Sequence, residues 1–254
     1  MQQSISWAGA GACVPLPVDR IVDSTESVVE NALGSWNRIR PRRNASSQPQ
    51  PSSHVLTDAM RERYLRELGW QARATLRAAI DTAARISDLR DRSPVLVPEG
   101  HVPFLEEIFR SVHSTLTHAS CISKLLWPIL PSTRRGGESK AEWHARRSFM
   151  EARGAFLREA ARVDSKSVFR ERAVRNHLEH FDERIDERIL SGGTQWILDN
   201  IGPLGSTRYD RKNLFRWLDQ YTGEFVVAGD SICLRDIMVE AQAILSALPH
   251  PFRG

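Results

Sequence analysis

Residues 104–127 constrain the fold more than any other stretch of this chain. Leu105, Ile108, Phe109, Val112, Leu116, Ala119, Ile122, Leu125 and Leu126 spread apolar side chains over most of a helix's circumference. A helix that apolar needs cover on several sides, so the rest of the chain must supply covering elements. Pro103 suits the first position of such a helix and Pro128 ends it. Before it, Thr57 caps a helix whose Leu65, Leu68, Ala72, Leu76, Ile80, Ala83 and Ile86 form one stripe, with Glu62 and Arg66 paired on the outside. After it, Ser139 and Glu142 make a capping-box pattern for a third helix reaching about Val163, with Trp143, Phe149, Phe156, Ala160 and Val163 on its apolar side.

A fourth helix follows the turn at residues 164–167 and ends near Ser191-Gly192-Gly193. Its stripe is Val174, Leu178, Phe181, Ile185 and Ile189. Short turns between such helices favour antiparallel neighbours. Residues 214–219 and 224–232 then read as a β-hairpin around Tyr221-Thr222-Gly223. Leu234, Ile237, Ala241, Ile244, Leu245 and Leu248 mark a final helix stopped by Pro249. The expected fold class is all-α, an antiparallel helical bundle with a small C-terminal β-hairpin, over residues 55–254.

Residues 1–54 differ in character. Gly9, Gly11, Pro15 and Pro17 interrupt the start, a weak helix spans residues 24–33, and residues 44–53 are a Ser/Gln/Pro-rich linker. A disordered arm is expected. Within it Arg38, Arg40, Arg42 and Arg43 form a basic cluster suited to RNA phosphates, or equally to a solvated patch. No basic segment followed by an apolar core opens the chain, and no run approaches 18 apolar residues, so neither signal peptide nor membrane span is expected. Cys13, Cys121 and Cys233 are odd in number and far apart, which argues against a disulfide framework and against a clustered cysteine zinc site. A cytoplasmic protein follows. A net charge of +4 permits a polyanionic partner without demanding one.

Ionisable residues are densest at residues 175–186, where Arg175, His177, Glu179, His180, Asp182, Glu183, Arg184 and Asp186 crowd one helical pattern together with the neutral Asn176. Asn176 and His180 are four apart and share a face, so the amide can orient the imidazole. Arg175 lies about 140° from His180 around an ideal helix at roughly 100° per residue. Either the long Arg stem or a second copy of the helix must bring the two together. Arg172 and His177 repeat the same spacing.

The Arg175-Asn176 pair followed by His180 resembles the R-x4-6-H signature of the HEPN superfamily, helical domains of bacterial toxins, defence proteins and RNA-guided nucleases. The resemblance implies a metal-independent endoribonuclease acting as a homodimer, without a cofactor. Arg175, Asn176 and His180 would be its catalytic residues, His177 and Asp182 auxiliary. An imidazole titrating near neutrality suits proton exchange with the RNA 2′-oxygen or the leaving 5′-oxygen, and a guanidinium suits a charged phosphorane. Some HEPN toxins are silenced by modification of a Tyr two residues after the motif His. Asp182 stands there and lacks a hydroxyl, so control falls to an antitoxin or other regulatory protein, or to the basic arm over Glu179, Asp182, Glu183 and Asp186.

Other readings of the same residues stay open. Residues 175–186 also suit a surface helix laced with ion pairs, with Glu179, Asp182 and Glu183 pairing Arg175 or Arg184. The domain would then be a catalytically silent dimerisation or binding module. His177 and His180 would alternatively bind a metal, although neither H-E-x-x-H nor a paired Glu-x-x-His is present. His113 and His118 read as structural histidines of the apolar helix. Trp196, Tyr209, Trp217 and Tyr221 suit base stacking, or the core face of the hairpin.

Overall fold

The computed structural model describes residues 55–92, 102–192, 199–207, 209–250 and 252. The expectations for residues 1–54, including Arg38, Arg40, Arg42 and Arg43, and for Trp196 lie outside them.

Helix α1, Asp58–Arg92, begins where Thr57 Oγ1 accepts a hydrogen bond from the Met60 amide at 3.4 Å. Leu65, Leu68, Ala72 and Ile86 of its stripe are buried, and Arg66 bonds Glu62 on the outside at 2.6 Å. Thr75 and Thr82 are buried beside them and donate to the carbonyls of Gln71 and Ala78, so burial orphans neither hydroxyl. Helix α2, Val102–Leu126, is central as its composition requires. Ile108, Val112, Leu116, Ala119, Ile122 and Leu126 are inaccessible or nearly so, and the helix packs against α1 and most later helical elements.

Helix α3, Lys140–Ala160, has the full capping box: Ser139 Oγ accepts from the Glu142 amide, and Glu142 accepts from the Ser139 amide. Gly154 lets it press on the end of α2, where Arg153, Arg158 and Arg172 donate to the carbonyls of Lys124, Leu126 and Trp127. Those are helix-end carbonyls without a helical partner, so the three guanidinium groups complete the C-terminus of α2 and complement its dipole.

The single long fourth helix is not what forms. A 3-10 turn, Val168–Arg170, precedes α4, Ala173–Glu179, and a separate α5, Phe181–Leu190. His180 joins the two with φ −122° and ψ 39°, outside helical geometry. The core accounts for the division. Val174 and Arg175 draw α4 inward, whereas no residue of α5 is buried and Phe181 and Ile189 of the expected stripe are exposed.

The expected hairpin is part of a larger sheet. Strands β1 (Asn200–Ile201), β2 (Trp217–Leu218), β3 (Glu224–Val227) and β4 (Asp230–Cys233) form a four-stranded mixed sheet in the order β1-β2-β3-β4. β2 and β3 make the antiparallel pair around residues 219–223, with Trp217 opposite Val226. Asp219 shapes that turn: Oδ1 accepts from the Tyr221 and Thr222 amides and Oδ2 from the Leu204 amide. The second arm then turns again at Ala228 and Gly229, both at positive φ, and returns as β4. Positive φ at both central residues is the tight two-residue connection that matches strand twist. β1 pairs in parallel with β2.

Phe225, Val227 and Ile232 join the helical core, while Leu214, Trp217 and Val226 form a smaller cluster on the opposite face. Helix α6, Leu234–Ala247, then packs on α1 through Ile237, Ala241, Ile244 and Leu245. The described residues are therefore mostly helical with a small mixed sheet. Cys121 is a free thiol and Cys233 is disulfide-bonded, so the argument against disulfides from the odd number and wide spacing of the cysteines is corrected at Cys233; distance along a chain does not limit approach in space. Among the described residues, no helix is long and apolar enough to cross a membrane.

Candidate functional site

The fold separates the motif residues. Arg175 is 4% exposed, and its guanidinium donates to the Ala119 carbonyl at 2.9 Å and the Phe169 carbonyl at 3.0 Å. Burial, together with neighbouring Arg172, pushes its pKa down to about 10. It ties α4 and the 3-10 turn to α2. Arg172 is similarly engaged, with Nε donating to Ser123 Oγ at 3.0 Å and Nη2 to the Trp127 carbonyl. His180 sits at the helix break facing solvent, with Nδ1 3.3 Å from Glu183 Oε1. Asn176 and Asp182 are exposed. Within one chain, Arg175 and His180 serve different partners and do not line one cleft.

The acidic residues are also placed otherwise than along one helix. Glu179 reaches across to α2 and accepts from Lys124 at 3.0 Å and Ser120 at 3.1 Å. Burial pushes that carboxyl up, but these hydrogen bonds outweigh it and hold it below the ordinary value. Arg184 pairs with Glu187 at 2.6 Å.

His177 occupies a different setting. Its Nε2 lies 2.7 Å from Asp230 Oδ2 at the start of β4, a contact between residues 53 apart in sequence. A cleft of about 320 Å³ opens beside it between α5 and the segment that leads into β2. Its wall carries His177, Arg184, Arg188 and Lys212 with Asn213 and Glu187. Arg184 and Arg188 are four apart on α5 and so share a face. Arg188 donates to Asn213 Oδ1. Three enclosed side-chain nitrogens on this wall, His177 Nδ1, Arg184 Nε and Arg188 Nε, have no hydrogen-bond partner. Buried polar groups are rarely left so; Trp143 Nε1, Arg153 Nε and Arg175 Nε are likewise unpartnered elsewhere, and three of these six atoms belong to residues that line this cleft.

The imidazoles of His177 and His180 bond different carboxylates, Asp230 and Glu183, so they do not form one ligand pair for a metal. His118 is structural: its Nδ1 lies 2.9 Å from Gln71 Oε1 and its ring meets Trp70 edge-on. Burial lowers its pKa. Trp217 is buried, with Nε1 donating to the Gly202 carbonyl at 2.8 Å, and offers no face to a base. Tyr209 and Tyr221 are exposed.

Sequence reasoning missed Arg188, Lys212, Asn213 and Asp230 as members of a site. The four-residue spacing of Arg184 and Arg188 was a readable signal; the approach of Lys212 and Asp230 was not. No protein-family model matches the chain, and neither a curated protein nor a solved structure matches it.

Proposed function

We propose that this domain is a metal-independent, HEPN-type endoribonuclease in which His177, rather than His180, is the reacting imidazole. The observation that carries this reading is the His177–Asp230 pair, 2.7 Å apart, beside a cleft walled by Arg184, Arg188 and Lys212. Asp230 accepts the proton on Nε2 and fixes that tautomer, which leaves Nδ1 as the ring's acceptor. In this reading Nδ1, enclosed in the free protein, is uncovered as the strand enters and takes the proton of an RNA 2′-hydroxyl as its oxygen attacks the adjacent phosphorus. The P–O5′ bond breaks, and the imidazolium returns a proton to the leaving 5′-oxygen. A 2′,3′-cyclic phosphate and a 5′-hydroxyl end result. The cations of the cleft hold the non-bridging oxygens while their charge grows. Arg175 supports the fold beneath this site.

A homodimer is part of the proposal, with α5 as the contact, because Phe181, Ile189 and Leu190 stand exposed along it. A cytoplasmic location follows from an RNA substrate. It rests on that alone, since a disulfide at Cys233 weighs for an oxidising compartment. A second reading, a silent RNA-binding or dimerisation module, is favoured by the structural use of Arg175.

The test is cleavage of single-stranded RNA in the presence of a chelator. The wild-type chain is expected to cut, and His177→Ala to lose about 100-fold or more, the usual scale of acid–base catalysis. His180→Ala is expected to remain within a few-fold, as an exposed residue outside the cleft. Loss confined to His180→Ala would overturn the assignment. RNA binding without any cleavage would favour the silent module.

A further inference from the structure

The cleft between α5 and the sheet has a charge balance that selects among phosphate groups. Arg184, Arg188 and Lys212 bring three cations to its wall, and among the described residues Glu187 is the one carboxylate on it. Glu187 is committed to Arg184, and the carboxylate of Asp230 to His177. The ammonium of Lys212 has no ion-pair partner among the described residues, and its stem lies against Gly229 in the turn between β3 and β4. Arg188 is held by Asn213, a neutral acceptor that leaves its charge uncompensated. Counted on the lining alone, two positive charges are thus unmatched; Asp230 stands outside it. The Nε–H groups of Arg184 and Arg188 are enclosed without a partner, so both guanidinium groups have donor capacity left for a ligand that reorients them.

We infer that this cleft recognises a phosphomonoester, the terminal phosphate of an RNA strand. This deepens the proposed function and rests on the cleft being the RNA site. Near neutral pH a phosphomonoester is largely a dianion, because its second ionisation falls near pH 6, whereas an internal phosphodiester carries a single charge. The dianion cancels both unmatched charges, and its three terminal oxygens accept from several donors at once. A phosphodiester would leave one cation unmatched and present fewer free oxygens. A volume of about 320 Å³ has room for a phosphoryl group and its attached sugar. A terminal phosphate seated among Arg184, Arg188 and Lys212 would bring the first linkages of the strand beside His177.

Calorimetric titration of the full chain tests this with adenosine 5′-monophosphate, inorganic phosphate, adenosine and the dinucleoside monophosphate ApA as probes. The monophosphate is expected to bind and inorganic phosphate to compete with it. Adenosine should not bind, and ApA should bind about tenfold more weakly, the scale of one unmatched partly exposed charge. Lys212→Ala changes an exposed side chain and should weaken monophosphate binding about fivefold without shifting the melting curve. Arg188→Lys, which keeps a donor for Asn213, guards against misfolding in Arg188→Ala. In parallel, 5′-phosphorylated and 5′-hydroxyl oligoribonucleotides are compared as cleavage substrates, the first being expected to react faster.

Failure of the monophosphate to bind, or equal binding of ApA, overturns the inference. His177-dependent cleavage that persists in that case leaves the ribonuclease reading standing. Monophosphate binding without cleavage keeps the inference and removes the catalytic reading. Competition by inorganic phosphate with no preference between the two oligonucleotides would make the ligand a free phosphate compound and overturn the assignment to RNA ends.

Discussion

Replacing Arg175 separates a catalytic arginine from a structural one. Burial holds this guanidinium down to about 10, well below its ordinary range, so the charged form costs roughly 3 kcal/mol in the folded state at about 1.4 kcal/mol per pH unit. Two charge-assisted hydrogen bonds, to Ala119 and Phe169, return about 3–6 kcal/mol. The buried methylenes of the stem add roughly 2 kcal/mol. The balance favours arginine, and Arg175→Ala should destabilise by about 2–5 kcal/mol, a large share of a typical domain's stability. Arg175→Met should be milder, about 1–3 kcal/mol, because the stem still packs and the cost of burying charge disappears. What remains is the Phe169 carbonyl without its donor, while Ala119, inside α2, keeps its helical partner. Urea denaturation of wild type and both variants measures this, with cleavage assayed at a temperature where all are folded. Arg175→Ala within about 0.5 kcal/mol of wild type, or Arg175→Met the worse of the two, would refute the reasoning.

Two further outcomes follow from the packing and charge. In Gly154→Ala the new Cβ would meet the Leu126 carbonyl and Pro128 Cδ at 2.7 Å each, so urea denaturation should show a loss of about 1–3 kcal/mol despite alanine's better helix propensity; a gain would mean the α2–α3 contact is looser than described. Hydrogen bonds from Arg146 and the Arg135 amide hold the Glu138 carboxyl down to about 2 from 4.5. A folded value lowered in this way gives stability that is present above pH 4.5 and lost as pH falls towards 2, so the melting temperature should fall across that window and Glu138→Gln should flatten the fall. Parallel curves for the two proteins would count against the pairing.

The long helices were legible because each turns one stripe to a shared core. The stripes of α1 and α2 and the caps at Thr57 and Ser139 need only local sequence to be seen. The break at His180 was not legible, since no glycine or proline marks it; it arises because α4 finds core to bury against and α5 does not. Strand β1 is two residues long and pairs with a partner seventeen positions later, beyond any local pattern. The candidate site suffered most. Spacing placed Arg175 correctly on a helix and missed that His180 falls at a break; a linear motif also carries no information on burial, and the guanidinium turned inward to two carbonyls. Arg153, Arg158 and Arg172 illustrate the same limit: as letters they are surface charge, and in the fold they finish a helix end.

Helix α5 contributes Arg184 and Arg188 to one wall of the cleft, yet it buries no residue of its own and joins α4 through one non-helical residue. A segment with so little apolar area at stake opens at a lower free energy than the domain unfolds. Its amides should therefore exchange with solvent through local opening, while those of α2 wait for global unfolding. The affinity of any occupant of the cleft then includes the work of holding this wall shut, and exchange in residues 181–190 that slows further on adding ligand at fixed protein concentration becomes a record of occupancy.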